Sequence, residues 1–198
     1  LEAGIKAGAQ QGDFSSSLPM PNPVGQMTDS FPIARAIHES DGLVSLPKMK
    51  THELTRLTGA VKNLFGCVPG KRKALYHLQF RDAFDFSRML VELNLTVRPR
   101  LHVMDGIIAM DGNGPHSGDP RPMGVLLLSD DPVAIDATFA RLINMRPEYV
   151  PTTLIGQEVG LGKYDEDQIE IVGDALESAL CPNFHVVRRP ALRNGILS

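Results

Sequence analysis

Apolar and polar positions divide the chain into short segments. Residues 1–30 show no period. "SSSLPMPNPVG" mixes Ser, Pro and Gly as loops do, so an extended or poorly ordered arm is expected there. In "DSFPIARAIHES", Ile33, Ala36 and Ile37 share a helical face, Pro32 sits near the first turn and Asp29 or Ser30 can cap, so the segment predicts a helix. "GLVSLP" reads as a short buried strand. "TGAVKNLFG" gives two helical turns, with Thr58 as cap, Val61, Leu64 and Phe65 as the apolar stripe and Gly66 as the stop. "VPGKRK" is a basic turn. "AFDFSRMLVELNLTV" is a clear helix with Phe86, Met89, Leu90 and Leu93 inward. "RLHVMDG" predicts a strand ending at Asp105 and Gly106, followed by the loop "GNGPHSGDPRP". "MGVLLLS" is apolar enough for a strand buried on both sides. "DDPVAIDATFARLI" is a helix capped by Asp131 with Pro132 first. A further helix spans "PEYVPTTLIGQEVGLG", interrupted at Pro151. "QIEIVG" is a last strand, and "NFHVVRR" is the candidate for one more.

Strands alternate with helices, and two strands are almost wholly apolar. The pattern predicts an α/β fold: a mixed, mostly parallel sheet with helices on both faces. It divides the chain into an arm (1–30), an α/β domain (31–175) and a C-terminal extension (176–198).

Composition narrows the partners. The 198 residues are 42% hydrophobic and 22% charged, with a net charge of −3. A pI near 6.1 argues against non-specific nucleic-acid binding, so any basic site must be local. No apolar run approaches the ~18 residues of a membrane span, and no signal peptide is visible. The expectation is a cytoplasmic chain with no membrane and no nucleic-acid partner. A start at Leu1 rather than Met reads as a processed or excised chain. The two cysteines, Cys67 and Cys181, make no disulfide scaffold and fall short of the usual four ligands of an iron–sulfur cluster, so no cluster is expected on this chain itself.

"PKMKTHELTRLTGAVKNLFG" gathers three lysines, an arginine and a histidine around a short apolar pattern. In an extended segment Lys48, Lys50 and His52 point the same way. Lys62 and Asn63 lie on the polar side of the next helix, whose free N–H groups would add to the attraction for an anion. The spacing is not that of a Walker A loop. Ordinary solvated lysines are the competing reading. "GKRK" at 70–73, followed by His77, is either a basic flap or an exposed turn.

Asp105 entering a glycine turn could hold a metal or orient a lysine, or simply form the turn. His116 lies within the Gly/Pro loop, where glycine allows close backbone approach to a ligand. Asp136, in "VAIDATFA", is apolar on nearly all sides and needs a partner: a lysine, a backbone N–H or a metal. Asp105 and Asp136, with His52, His77 and His116 nearby, are the candidate ligands of a divalent metal, although spacing alone does not assemble them. There is no histidine pair at i, i+4, no CxxC, no GxSxG and no GxGxxG, so zinc-protease, hydrolase-elbow and Rossmann readings lose their support.

The blocks "LPKMKTHELTRLTGAVKNLFGCVPGKRKALYH", "DGIIAMDGNGPHSGDPRPMGVLLLSDDPVAIDA" and "GLGKYDEDQIEIVG" resemble the uncharacterised family called domain of unknown function 362, over roughly residues 30–175. Many members carry a ferredoxin-like segment and are described as iron–sulfur proteins, so the resemblance implies a redox setting. It also implies a ferredoxin-like partner or an adjoining domain missing here. This chain lacks the cysteine-rich segment. The family's signature falls on Pro47, Lys48, Lys50, Thr51 and His52, then Thr58, Gly59, Lys62, Asn63 and Gly66, then Lys73 and His77. It continues at Asp105, Gly106, Gly112, Gly114, Pro115, Gly118, Asp131, Pro132, Ala134 and Asp136.

The expected function is an enzyme domain that binds a small anionic substrate or cofactor. Its lysines would stabilise negative charge, with Lys62 central, and His52 or His116 would carry the proton. Lys48, Lys50, Thr51, Asn63, Lys73, His77, Gly112 and Gly114 would line the site. A non-catalytic ligand-binding or redox-partner docking module is the alternative, and a purely structural role is a third.

Overall fold

The computed structural model describes residues 2–70, 72–188, 192–193 and 196–197. A short helix α1 (Glu2–Lys6) precedes the strands β1 (Ser17–Pro21) and β2 (Ser30–Ala34), which pair antiparallel. The helix expected across 29–40 is therefore mostly strand, and only Arg35–His38 (α2) is helical. Phe31 and Ile33 are fully buried with Pro32 between them, so a two-residue period overrides the helical one. The 22–27 segment is tied to the body by the Glu92 carboxylate, which accepts from the Asn22 side chain and the Met27 N–H.

The main sheet begins with β3 (Val44–Ser45), β4 (Lys48–His52) and β5 (Arg56–Thr58). Next come α3 (Ala60–Asn63), a 3-10 turn (Leu64–Cys67), α4 (Arg72–Gln79) and α5 (Ala83–Val97). Helix α5 has the predicted span, capped by Asp82 accepting from the Phe84 and Asp85 N–H groups. The hairpin β6 (Leu101–Asp111) and β7 (Asp119–Ser129) follows, then α6 (Pro132–Leu142), a 3-10 turn (Pro147–Tyr149) and α7 (Pro151–Glu158). Further 3-10 turns lie at Glu166–Gln168 and Leu176–Ala179, and a two-residue hairpin, β8 (Leu192–Arg193) and β9 (Ile196–Leu197), closes the order.

The chain is α/β with a mixed sheet. Strand β6 has β7 antiparallel along one side and β3, then β4, parallel along the other, while β5 pairs antiparallel with β4. Met49, Met104 and Ala109 on one face pack against Ile135, Phe139 and Ala140 of α6. Behind this layer, Phe86, Met89, Leu90 and Leu93 of α5 join Phe31, Ile33, Val61 and Leu64 in a second cluster. Among the described residues the opposite sheet face is open: Val44, Leu46, Ile107, Ile108, Leu126 and Leu128 are 50–70% exposed.

Other boundaries shift. "GLVSLP" holds only the two-residue β3, with Val44 and Leu46 exposed rather than buried. β6 does not stop at Asp105 and Gly106; it bulges past Gly106 and continues to Asp111. β7 is an edge strand with one exposed face, not one buried on both sides. "QIEIVG" forms no strand, and a cavity of about 460 Å³ separates residues 169–179 from β7. Residues 183–188 form no strand either; Arg188 donates instead to the carbonyls of Ile143, Asn144, Pro182 and Phe184, and Arg189 lies outside the described residues. Among the described residues no helix is long and apolar enough to cross a membrane.

Candidate functional site

The site is built around the start of α3. Asp136 projects from α6 and is almost fully buried. Its Oδ1 accepts from the Ala60 N–H at 2.6 Å and its Oδ2 from the Val61 N–H at 3.1 Å. Gly59 is required here, because a Cβ would overlap the Asp136 carboxylate. Burial raises the Asp136 carboxyl to about 7 against the pull of these two hydrogen bonds. The first N–H groups of α3, expected to face an anion, are thus taken by a carboxylate of the chain itself. Asn94 of α5 donates to the Val61 carbonyl and holds the same turn from behind.

This anchoring presents Lys62. Its Nζ lies 5.9 Å from the Phe65 ring centroid. Burial, then the charges of Lys50 and Lys73, lower its ammonium to about 8. Among the described residues no carboxylate lies within ion-pair distance of Lys50, Lys62 or Lys73.

Three imidazoles join them. His52, at the end of β4, accepts at Nδ1 from the Leu54 N–H (3.1 Å) and the Thr55 N–H (3.3 Å). An acceptor Nδ1 fixes the neutral tautomer with the proton on Nε2. Burial, then Lys62, His77 and His116, push His52 down to about 3. It therefore offers a fixed Nε2–H donor, and its lowered pKa suits it less than His116 to the proton-carrying role expected of one of the two. His77 of α4 stacks on Phe86 at 4.5 Å and meets Phe65 edge-on at 5.5 Å; burial and Lys62 lower its pKa. His116 arrives on the loop after β6. That loop docks on β4 through Gly114, whose N–H donates to Thr51 Oγ1 at 3.2 Å and where a Cβ would overlap Thr51. Gly112 donates its N–H to the His185 carbonyl.

Lys62 thus lies within electrostatic reach of Lys50, Lys73, His52 and His77, and His52 within reach of His77 and His116. Thr51 is buried and anchors the loop rather than facing a ligand. Asn63 donates to Ser45 Oγ at 3.0 Å and ties α3 to β3. Lys48 is paired with Asp105 at 2.7 Å, on the open sheet face. Asp105 also accepts from the Ile107 N–H, and the Lys48 hydrogen bond holds its carboxyl below the usual range. Asp105 and Asp136 lie on opposite faces of the sheet, and no group of three His, Cys, Asp or Glu among the described residues could hold a metal. Lys71 of "GKRK" lies outside the described residues.

One anchor escaped the sequence reading. Asp111, fully buried, takes Arg121 Nε (2.9 Å) and Nη2 (2.8 Å) and the His185 N–H (3.0 Å) on one oxygen, fixing the base of the His116 loop. The signal was available, since Asp111 and Arg121 bracket a Gly-rich turn on adjacent strands.

The model of the family described as domain of unknown function (DUF362) matches residues 2–141, which include every member of this cluster and its anchors Gly59, Asp111 and Asp136. The chain belongs to this family. A thylakoid-associated protein of Synechocystis sp. is 41% identical over 138 residues, covering 68% of this chain and 43% of the relative. The chain thus spans less than half the length of that family relative. No solved structure matches.

Proposed function

We propose that the cluster binds a small anion carrying two or more negative charges, of the phosphate type, as substrate or cofactor. The observation that supports this reading is three ammonium groups and three imidazoles within electrostatic reach of Lys62 or His52, with no carboxylate at ion-pair distance from the three lysines among the described residues. A half-buried ammonium lowered to about 8 is unfavourable in the empty site, and an anion relieves it. His52 supplies a fixed Nε2–H donor that needs no reorientation. In an enzyme built on this site, Lys62 stabilises charge and exchanges a proton near neutral pH, and His116, on its exposed loop, is the proton carrier.

The test is a thermal-shift series on the purified chain with phosphate, pyrophosphate, sulfate and carboxylates, beside Lys62→Met. A ligand at ~100 times its dissociation constant stabilises by about 2.7 kcal/mol. The reading expects a shift with di- and trianions that Lys62→Met abolishes and Lys62→Arg retains. No shift with any anion, or a shift that survives Lys62→Met, refutes it.

A second reading has one observation in its favour. Helix α4 buries no residue and exposes Leu75 and Leu78 beside Arg72 and Lys73. A basic, apolar-tipped helix suits docking of an acidic redox partner, the ferredoxin-like kind that the family resemblance implies. In that case the anion at Lys62 is a carboxylate of the partner, and small anions compete with docking.

A further inference from the structure

The open face of the sheet carries Lys50 and His52 of the anion site only at its β4–β5 edge, where they alternate with Lys48; toward β3 and β7 it is apolar. Its outward positions follow from register. Val44 pairs with Leu101, Lys48 with Asp105, Asp105 with Leu126 and Val103 with Leu128, so these side chains stand on the face opposite Met49 and Met104. The bulge after Gly106 turns both Ile107 and Ile108 to the same side, at 54% and 50% exposed. Leu46 reaches 70% and Leu128 63%. Parallel strand pairs such as β3–β6 and β4–β6 normally occur in sheets covered on both faces. A contiguous apolar patch of this kind marks an interface.

We propose that this face is the interface of a two-fold dimer, occupied by a second copy of the chain. Two features favour that occupant. The first is charge. The Lys48–Asp105 pair, 39% and 44% exposed, sits in the middle of the patch with aliphatic side chains around it. A two-fold axis through the patch centre sets Lys48 of each copy against Asp105 of the other, so both charges keep opposite-sign neighbours when water leaves. The second is size. The patch is three strands wide and roughly 30 Å long. With side-chain relief, two such faces bury on the order of 1,400 Å² in total, within the ~1,200–2,000 Å² of stable interfaces. Packed face to face, the sheets would stand ~10 Å apart, as in a sandwich.

The test is sedimentation equilibrium of the 198-residue chain. A dimer is expected, and Leu126→Glu with Leu128→Glu should weaken it at least about tenfold. A charge exchange guards against simple misfolding. Chains carrying Lys48→Glu, or separately Asp105→Lys, place like charges across the axis and should be monomeric. Mixed one to one, they should form a heterodimer, which only folded chains can do. A monomeric unaltered chain overturns the proposal and leaves the face for additional polypeptide, such as the longer relative carries. A dimer indifferent to Leu126 and Leu128, or no gain on mixing, overturns it equally.

Discussion

Gly59 and Asp136 are bound to each other by volume. The carboxylate occupies the space that any side chain at 59 would need, and it serves the two N–H groups that start α3. Asp136→Ala strips those donors and leaves a cavity, so a loss of about 2–4 kcal/mol is expected in urea unfolding. Gly114→Ala pushes the loop off Thr51. Its expected signature is a modest loss of stability, about 1–3 kcal/mol, with a larger loss of anion-induced shift, because His116 moves with the loop. Lys62 gives a third test. Its ammonium is lowered from 10.5 to about 8, so a bound anion should pull a proton onto the chain between those values. Calorimetric titration with phosphate at pH 9, in two buffers of different ionisation enthalpy, should show proton uptake that Lys62→Arg removes.

At the scale of elements, legibility depended on what competes with the local pattern. Helices α5 and α6 were readable because cap, period and stop agree: Asp82 and Asp131 both accept from the N–H groups that follow them. Segment 29–40 is mostly strand rather than helix because Ile33 fits an alternating face as well as a helical one, and only pairing with β1 decides between them. "MGVLLLS" looked buried on both sides because apolar residues occupy every position, yet a run of leucine cannot tell an edge strand from a central one. "QIEIVG" alternates like a strand but pairs with no strand among the described residues. Gln157 holds the chain just before it, accepting from the Tyr164 and Asp165 N–H groups. Of the site, the cations and the glycine loop were legible, since charges clustered in sequence stay close in space. Asp136 was legible as a buried acid; its partner was not, because 76 residues separate it from Ala60.

Across the whole molecule, desolvated histidines and Asp136 set opposite pH slopes, with His52 the most strongly shifted of the histidines. Below 6.5 the unfolded chain protonates His52, while the folded chain refuses the proton until about 3. Stability from this residue therefore falls as pH drops through that window. Asp136 acts the other way. The folded chain accepts a proton from about 7, the unfolded chain only near 3.8, so stability from Asp136 rises as pH drops between them. Each slope is at most ~1.4 kcal/mol per pH unit, and they oppose one another across the shared range. His52→Asn, whose side chain can still accept from the Leu54 N–H, removes the His52 slope and keeps those of His77, His102 and Asp136. Its melting temperature, measured against the unaltered chain, should improve as pH is lowered from 7 to 4.5.

The free edge of β7 has a consequence for solubility. An edge strand offers a row of unmet N–H and C=O groups to any passing strand. Its first half is defended, because Pro120 and Pro122 remove two donors. Its second half, from Met123 to Leu128, has no proline or charge, and among the described residues no strand pairs with it on the side away from β6, where residues 169–179 line a cavity. Residues 169–179 form the other wall of this gap and limit approach to the strand. Loosening that wall, for instance at Gln157, opens access to an edge where every second amide points away from β6 beside exposed leucines, the template from which edge-to-edge aggregates grow.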